Sequence, residues 1–208
     1  MSAQGCAQSN ELAVQKTMTT PLIYVMGPSG AGKDSVMNLA REMLTPDVPV
    51  AFAHRYITRP AKAGGENHVA LTTAEFALRR EHRQFAFHWE AHGNHYGIGR
   101  EIHAWRKAGL TVVVSGSREH FLELGGIDDD TYPVLITAST ERLAERIAAR
   151  GRETGSAATA RLERSESYDM TDQRLVTILN DGSLEIAAQA FVSLIARLQP
   201  SSAVLRRA

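Results

Sequence analysis

Short apolar runs alternate with stretches of helical spacing along most of this chain. Leu22-Ile23-Tyr24-Val25-Met26, bounded by Pro21 and Gly27, predicts a buried strand. Val36, Leu39, Ala40 and Met43 then fall on one face of a helix from Asp34 to about Leu44. Pro46 and Pro49 mark a loop, and Val50 to Ile57 predicts a strand of poor alternation. Thr58 to His68 reads as a loop carrying glycines and cations. A helix is predicted from Thr73 to about Arg83, with Glu75 as capping-box partner of Thr72. Phe85-Ala86-Phe87-His88-Trp89 and the turn His92-Gly93-Asn94 predict a hairpin.

Ile102 to Lys107 fits a helix stopped by Gly109. Leu110 to Val114 is the clearest buried strand, and it ends in Ser115-Gly116-Ser117-Arg118. Pro133 to Thr137 is another. A helix from Thr140 to Arg150 carries Leu143 and Ile147 on one side and Arg142, Arg146 and Arg150 on the other. An arginine-rich helix follows from about Ala157 to Asp169. Val176 to Leu179 is the last strand, then Asn180-Asp181-Gly182 and a helix from Ser183 to about Leu198. Strands alternating with helices predict an α/β fold in three layers, a parallel sheet with helices on both faces. Such sheets bind ligands at the carboxyl ends of their strands.

One domain uses the 208 residues and their 43% hydrophobic content. Residues 1–19 are polar and mixed and are expected to form a disordered tail ahead of a domain over 20–200; Pro200 to Ala208 is expected to fray. The formal net charge is zero, so nothing pulls the chain globally toward nucleic acid or a membrane surface. The single cysteine, Cys6, excludes an internal disulfide framework and fits a reducing, cytoplasmic compartment. A homodimer is compatible with the sequence.

The strand at 22–26 runs into Gly27-Pro28-Ser29-Gly30-Ala31-Gly32-Lys33, the P-loop spacing G-x-x-x-x-G-K. Glycines let the backbone N–H groups turn toward phosphate oxygens, and the helix N-terminus adds positive dipole beneath them. Lys33 reaches the β- and γ-phosphates. A nucleoside triphosphate with Mg²⁺ is the expected ligand pair. The next position should be Ser or Thr but is Asp34, with Ser35 one step on and turned by about 100°. A carboxylate is a hard Mg²⁺ ligand, and it also caps helices; both readings of Asp34 stay open.

Two cation clusters suit phosphate chemistry. Arg146, Arg150 and Arg161 flank the small polar stretch Gly151 to Ala158, predicted to act as a lid over about 150–165. The alternative is a solvated face with Glu141, Glu145 and Arg146 in surface pairs. Arg55, Arg59 and Lys62, with His54 and His68 nearby, suit a phosphorylated acceptor or else an ordinary charged loop. His88, His92 and His95 lack the Cys or carboxylate partners of a zinc site, and no transition-metal site is expected.

The P-loop, Ile57-Thr58-Arg59-Pro60, His92-Gly93-Asn94-His95-Tyr96-Gly97, and Arg146 to Gly151 with Arg161-Leu162 resemble the guanylate kinase family. The resemblance implies a P-loop kinase fold with a small acceptor-binding insertion at about 54–105. It puts Arg59, Lys62 and Tyr96 on the acceptor phosphate, Arg146, Arg150 and Arg161 along the lid and phosphate path, and Asn180 near adenine. Guanylate kinases read guanine with two acidic residues. Here one position, at about Phe87, is aromatic, and the other is Ser115-Gly116-Ser117. Neither accepts guanine N–H bonds as a carboxylate does.

Gly32-Lys33-Asp34-Ser35, His54 to Arg59, Glu66-Asn67-His68, Gly116-Ser117-Arg118, Arg150-Gly151-Arg152-Glu153 and Asn180 to Leu184 resemble the ribose 1,5-bisphosphate phosphokinase branch of bacterial phosphonate breakdown. That resemblance implies ATP plus ribose 1,5-bisphosphate giving ADP plus 5-phosphoribosyl 1-diphosphate. It implies Arg59, Lys62, Glu66, His68, Tyr96 and Arg118 around the sugar phosphate. A guanylate or other nucleoside monophosphate kinase is the alternative enzyme. A non-catalytic guanylate kinase-like module is the alternative of another class, and the intact Lys33 argues against it.

Overall fold

Strand β1 (Leu22–Met26) is buried on both faces, and its side chains split between two cores. The computed structural model describes residues 20–60, 68–125, 127–149 and 172–199. After β1 come α1 (Lys33–Met43), β2 (Val50–Phe52), β3 (Arg55–Ile57), β4 (His68–Ala70), α2 (Thr73–Glu81), β5 (Phe85–Ala91) and β6 (Asn94–Gly99). The second half holds α3 (Glu101–Lys107), β7 (Thr111–Ser115), α4 (Arg118–Glu123), β8 (Thr131–Thr137), α5 (Thr140–Ala149), β9 (Val176–Leu179) and α6 (Leu184–Arg197).

Five strands form a parallel sheet in the order β2-β7-β1-β8-β9. Successive strand residues point to opposite faces. Ile23 and Val25 therefore pack with Val113, Val134 and Ile136 against α1 and α6, where Val36, Ala40, Phe191 and Ile195 are buried. Leu22, Tyr24 and Met26 face the other way and join Val112, Val114, Phe87, Ile98, Ile102 and Phe121. Each fully buried Ile or Phe contributes about 1.5–3 kcal/mol. The expected parallel sheet with cover on both faces is what the chain forms, and among the described residues no helix is long and apolar enough to cross a membrane.

A second sheet, in the order β4-β3-β6-β5, supplies part of that cover. It forces a correction: the single strand predicted over Val50 to Ile57 is two strands in different sheets. β2 pairs with β7, whereas β3 pairs with β6 and β4. Ala53 still donates its N–H to the Val113 carbonyl at 2.9 Å, and the chain leaves the large sheet directly after it. The hairpin β5–β6 forms as expected and extends to Ala91. The helix α2 ends at Glu81 rather than Arg83, and Arg83 has φ 53°. Only half of the predicted capping box forms. Thr72 Oγ1 accepts from the Glu75 N–H at 3.1 Å, but the Glu75 carboxylate pairs with Arg79 at 2.6 Å.

Two short elements escape the sequence reading. β4 lies at the end of the predicted 58–68 loop, and α4 follows Ser117, where Gly and Ser signal only a turn. β8 begins at Thr131, two residues earlier than expected, with Pro133 inside it. Its ladder to β9 starts at Val134, so the missing proline N–H falls outside that ladder. Residues 1–19, the segment with Lys62 and Glu66, the lid with Arg150 and Arg161, the helix predicted over 157–169 and Pro200 to Ala208 lie outside the described residues.

Candidate active site

The loop Gly27 to Gly32 leaves the carboxyl end of β1 and feeds α1. The Ala31 N–H donates to the Pro28 carbonyl at 3.2 Å, closing a turn with Ser29 exposed at its tip. Gly32 has φ +78°, and a Cβ there would lie 2.5 Å from Asn180 Nδ2. Only glycine fits such a bend under such a neighbour.

Two predicted residues hold the loop from behind. Asn180 Nδ2 donates to the Ala31 carbonyl at 2.7 Å, and Arg146 Nη1 reaches the same oxygen at 3.5 Å. Arg146 Nη2 donates to the Asn180 carbonyl at 2.9 Å. The predicted arginine face of α5 is thus divided: Arg146 turns to the loop, while Arg142 makes an exposed pair with Glu145 at 3.0 Å. Asn180 is buried at 3% exposure, and its Oδ1 has no hydrogen-bond partner among the described residues. With Gly30, Gly32, Ser35, Gly182 and Leu184, Arg146 and Asn180 line a cleft of about 400 Å³. A buried amide oxygen left over beside an open cleft fits a ligand with an N–H to donate.

On the other side of the loop, Lys33 Nζ donates to Asp34 Oδ1 at 3.0 Å and to Ser115 Oγ at the end of β7. Arg55 Nη2, from β3 of the small sheet, reaches the same Asp34 oxygen at 3.3 Å. The N-cap of α1 is Gly32 and no side chain caps it, so the Asp34 carboxylate serves two cations rather than the helix end. Its side chain is 36% exposed, against 11% for Lys33 and 10% for Arg55. A hard carboxylate presented beside the loop suits Mg²⁺.

The residues expected around an acceptor lie mostly on and beside the small sheet. Tyr96 stacks on Trp89, centroids 5.5 Å apart and planes at 6°, and the Arg55 guanidinium lies 5.8 Å from the Tyr96 ring centroid. Thr58 pins this hairpin: its N–H donates to the His95 carbonyl at 3.1 Å, and its Oγ1 accepts from the His95 N–H at 2.9 Å. Arg59 is half-buried just beyond β3. His68 is buried, and its Nε2 donates to the Arg59 carbonyl at 3.2 Å, closing the base of the 59–68 loop. Arg118 opens α4. Phe87, where a guanylate kinase would carry a carboxylate, is buried and meets Tyr24 edge-on at 6.0 Å.

Sequence reasoning missed Tyr24 and Ser115, and it gave Arg55 only a place in a cluster. The Tyr24 hydroxyl accepts from the Ser117 N–H at 3.2 Å and lies 3.3 Å from the Ser117 carbonyl. Gly116 passes against the Tyr24 ring, where any Cβ would overlap it. Burial pushes the Tyr24 hydroxyl far above its ordinary range, so it stays protonated. The signal was present: a tyrosine inside a fully apolar strand must find a partner for its hydroxyl.

The AAA domain family matches residues 23–171. Ribose 1,5-bisphosphate phosphokinase PhnN of Desulfomicrobium baculatum is 51% identical over 84% of this chain and 93% of its own length. The protein of the same name from Thiobacillus denitrificans is 48% identical, over 84% of this chain and 92% of its own. Guanylate kinase from Anaplasma phagocytophilum superposes with a TM-score of 0.65 at 17% identity, over 88% of both chains, and shares the fold. The chain belongs to the ribose 1,5-bisphosphate phosphokinase family of enzymes, built on a guanylate kinase-like P-loop fold.

Proposed function

We infer that this enzyme transfers the γ-phosphoryl group of ATP to the 1-phosphate of ribose 1,5-bisphosphate, giving ADP and 5-phosphoribosyl 1-diphosphate, in phosphonate catabolism. The observation that carries the choice of acceptor is the use made of the end of β7. Ser115 Oγ is engaged by Lys33, the Ser117 backbone by Tyr24, and Phe87 lies in the core. No carboxylate stands at these positions to accept the N–H groups of a purine edge, while Arg59, Tyr96 and Arg118 offer phosphate chemistry.

In this reading the N–H groups of Gly27 to Gly32, with Pro28, Ser29, Ala31 and Ser35 around them, cradle the ATP phosphates. Asn180 Oδ1 accepts an N–H of the base. Lys33 and Arg146 stabilise charge on the transferring group, joined by Arg150 and Arg161 from the lid. Arg59, Lys62, Glu66, His68, Tyr96 and Arg118 hold the sugar bisphosphate. Asp34 is the residue that would hold Mg²⁺, directly or through water, and the ion would supply neutralisation of phosphate charge. The accepting phosphate is already an anion, so no general base is needed.

Phosphorus NMR of a reaction with ATP and ribose 1,5-bisphosphate should show the diphosphate of phosphoribosyl diphosphate. A parallel assay of ADP release with GMP should show little turnover. Efficient GMP turnover with none of the sugar bisphosphate would overturn the reading in favour of a nucleoside monophosphate kinase.

A further inference from the structure

Both reactants in this transfer are polyanions, and they approach from different parts of the fold. The donor lies on the loop that ends in Lys33 and Asp34, and the acceptor lies over the small sheet. Arg55 belongs to the small sheet, in register with Ile98 of β6 and His68 of β4. Its guanidinium nevertheless reaches across to the nucleotide loop, 3.3 Å from Asp34 Oδ1. Two neighbours fix the position. The Asp34 carboxylate holds one edge, and the Tyr96 ring centroid lies 5.8 Å from the guanidinium carbon. The side chain is 10% exposed, so it is largely desolvated before any substrate arrives.

We propose that Arg55 is a further catalytic cation, which bridges the transferring phosphoryl group and the accepting phosphate, with Asp34 and Tyr96 holding it in place beforehand. The proposal rests on the phosphate-to-phosphate transfer inferred above. In that step an oxygen of the acceptor phosphate forms a bond to the γ-phosphorus. The bond from the γ-phosphorus to the β–γ bridging oxygen breaks, and its electron pair stays on the β-phosphate of ADP. No proton moves. Charge spreads over the equatorial oxygens of the group in flight, between two anions that repel each other. A planar donor fork at that junction reaches two phosphates at once, which a lysine ammonium does not do in the same geometry. Lys33 and Arg55 share one carboxylate oxygen, so a single anion sets the spacing of a cation from the donor side and one from the acceptor side.

Arg55→Gln and Arg55→Lys test this. For Arg55→Gln, kcat should fall by about 100- to 1,000-fold, with KM for ATP changed little. Arg55→Lys should recover less than a tenth of the loss, since it keeps the charge but not the fork. Calorimetry with Mg²⁺ and a non-hydrolysable ATP analogue should give wild-type affinity for the nucleotide in both variants. A loss confined to acceptor KM, with kcat within about threefold of wild type, would overturn the proposal and leave Arg55 a simple binding residue. Equal loss of nucleotide affinity and of melting temperature in Arg55→Lys would overturn it in favour of a structural role. The wild type is assayed first with ribose 1,5-bisphosphate and with GMP. If only GMP is phosphorylated, the choice of acceptor fails; the Arg55 comparison is then made on GMP, whose phosphate demands the same bridging.

Discussion

The hydroxyl of Tyr24 lies 3.1 Å from Nδ1 of His120, inside the protein and between β1 and α4. With its two contacts to Ser117 it ties the turn that leads to Arg118 onto the strand that leads to the P-loop. Tyr24→Phe removes that tie and leaves the half-buried Ser117 backbone and the buried His120 ring without their partner. Unfolding in urea should show a loss of about 1–3 kcal/mol. Because the turn carries Arg118, acceptor KM should rise more than KM for ATP.

His120 also carries a pH signature. Burial lowers its pKa from the ordinary 6.5, and the neighbouring charge of His88 adds to this. The folded protein therefore binds fewer protons at this site than the unfolded chain. The stabilisation is fully present above pH 6.5 and is lost as pH falls from 6.5 through the lowered folded value. His88 and His103 shift the same way, each first through burial and then through nearby arginines. Denaturation midpoints measured from pH 7.5 downward should fall below about pH 6.5. His120→Gln should flatten that slope in part; an unchanged slope would assign it to the other histidines.

Asp34 is predicted to matter for metal use as well as for holding Lys33 and Arg55. Asp34→Asn keeps the size of the side chain but removes its charge. The Mg²⁺ concentration giving half-maximal rate at fixed ATP should rise by about 10- to 100-fold. An unchanged Mg²⁺ titration with a lowered kcat would leave Asp34 an organiser of cations only.

Lys33 and its glycines were legible because their geometry is local. A buried strand, a tight loop and a helix follow one another within a dozen residues, and their spacing carries the chemistry. The alternating β/α order fixed the class of sheet for the same reason, since each element buries its own apolar face. Tyr96 and Asn180 became visible through resemblance, and Arg59 first as one of a cluster of cations. The division of Val50 to Ile57 into two strands was not legible, because each half is short and only its pairing partner decides its sheet. The meeting of Asp34 with Arg55, 21 positions apart, and of Tyr24 with His120, 96 apart, was not legible either. By itself the sequence determined that a phosphate-binding loop opens a parallel α/β fold. Only the tertiary structure decided which polar groups complete the site, because those contacts join elements far apart in the chain, Asn180 with Ala31 and Arg55 with Asp34, and no local pattern records that packing.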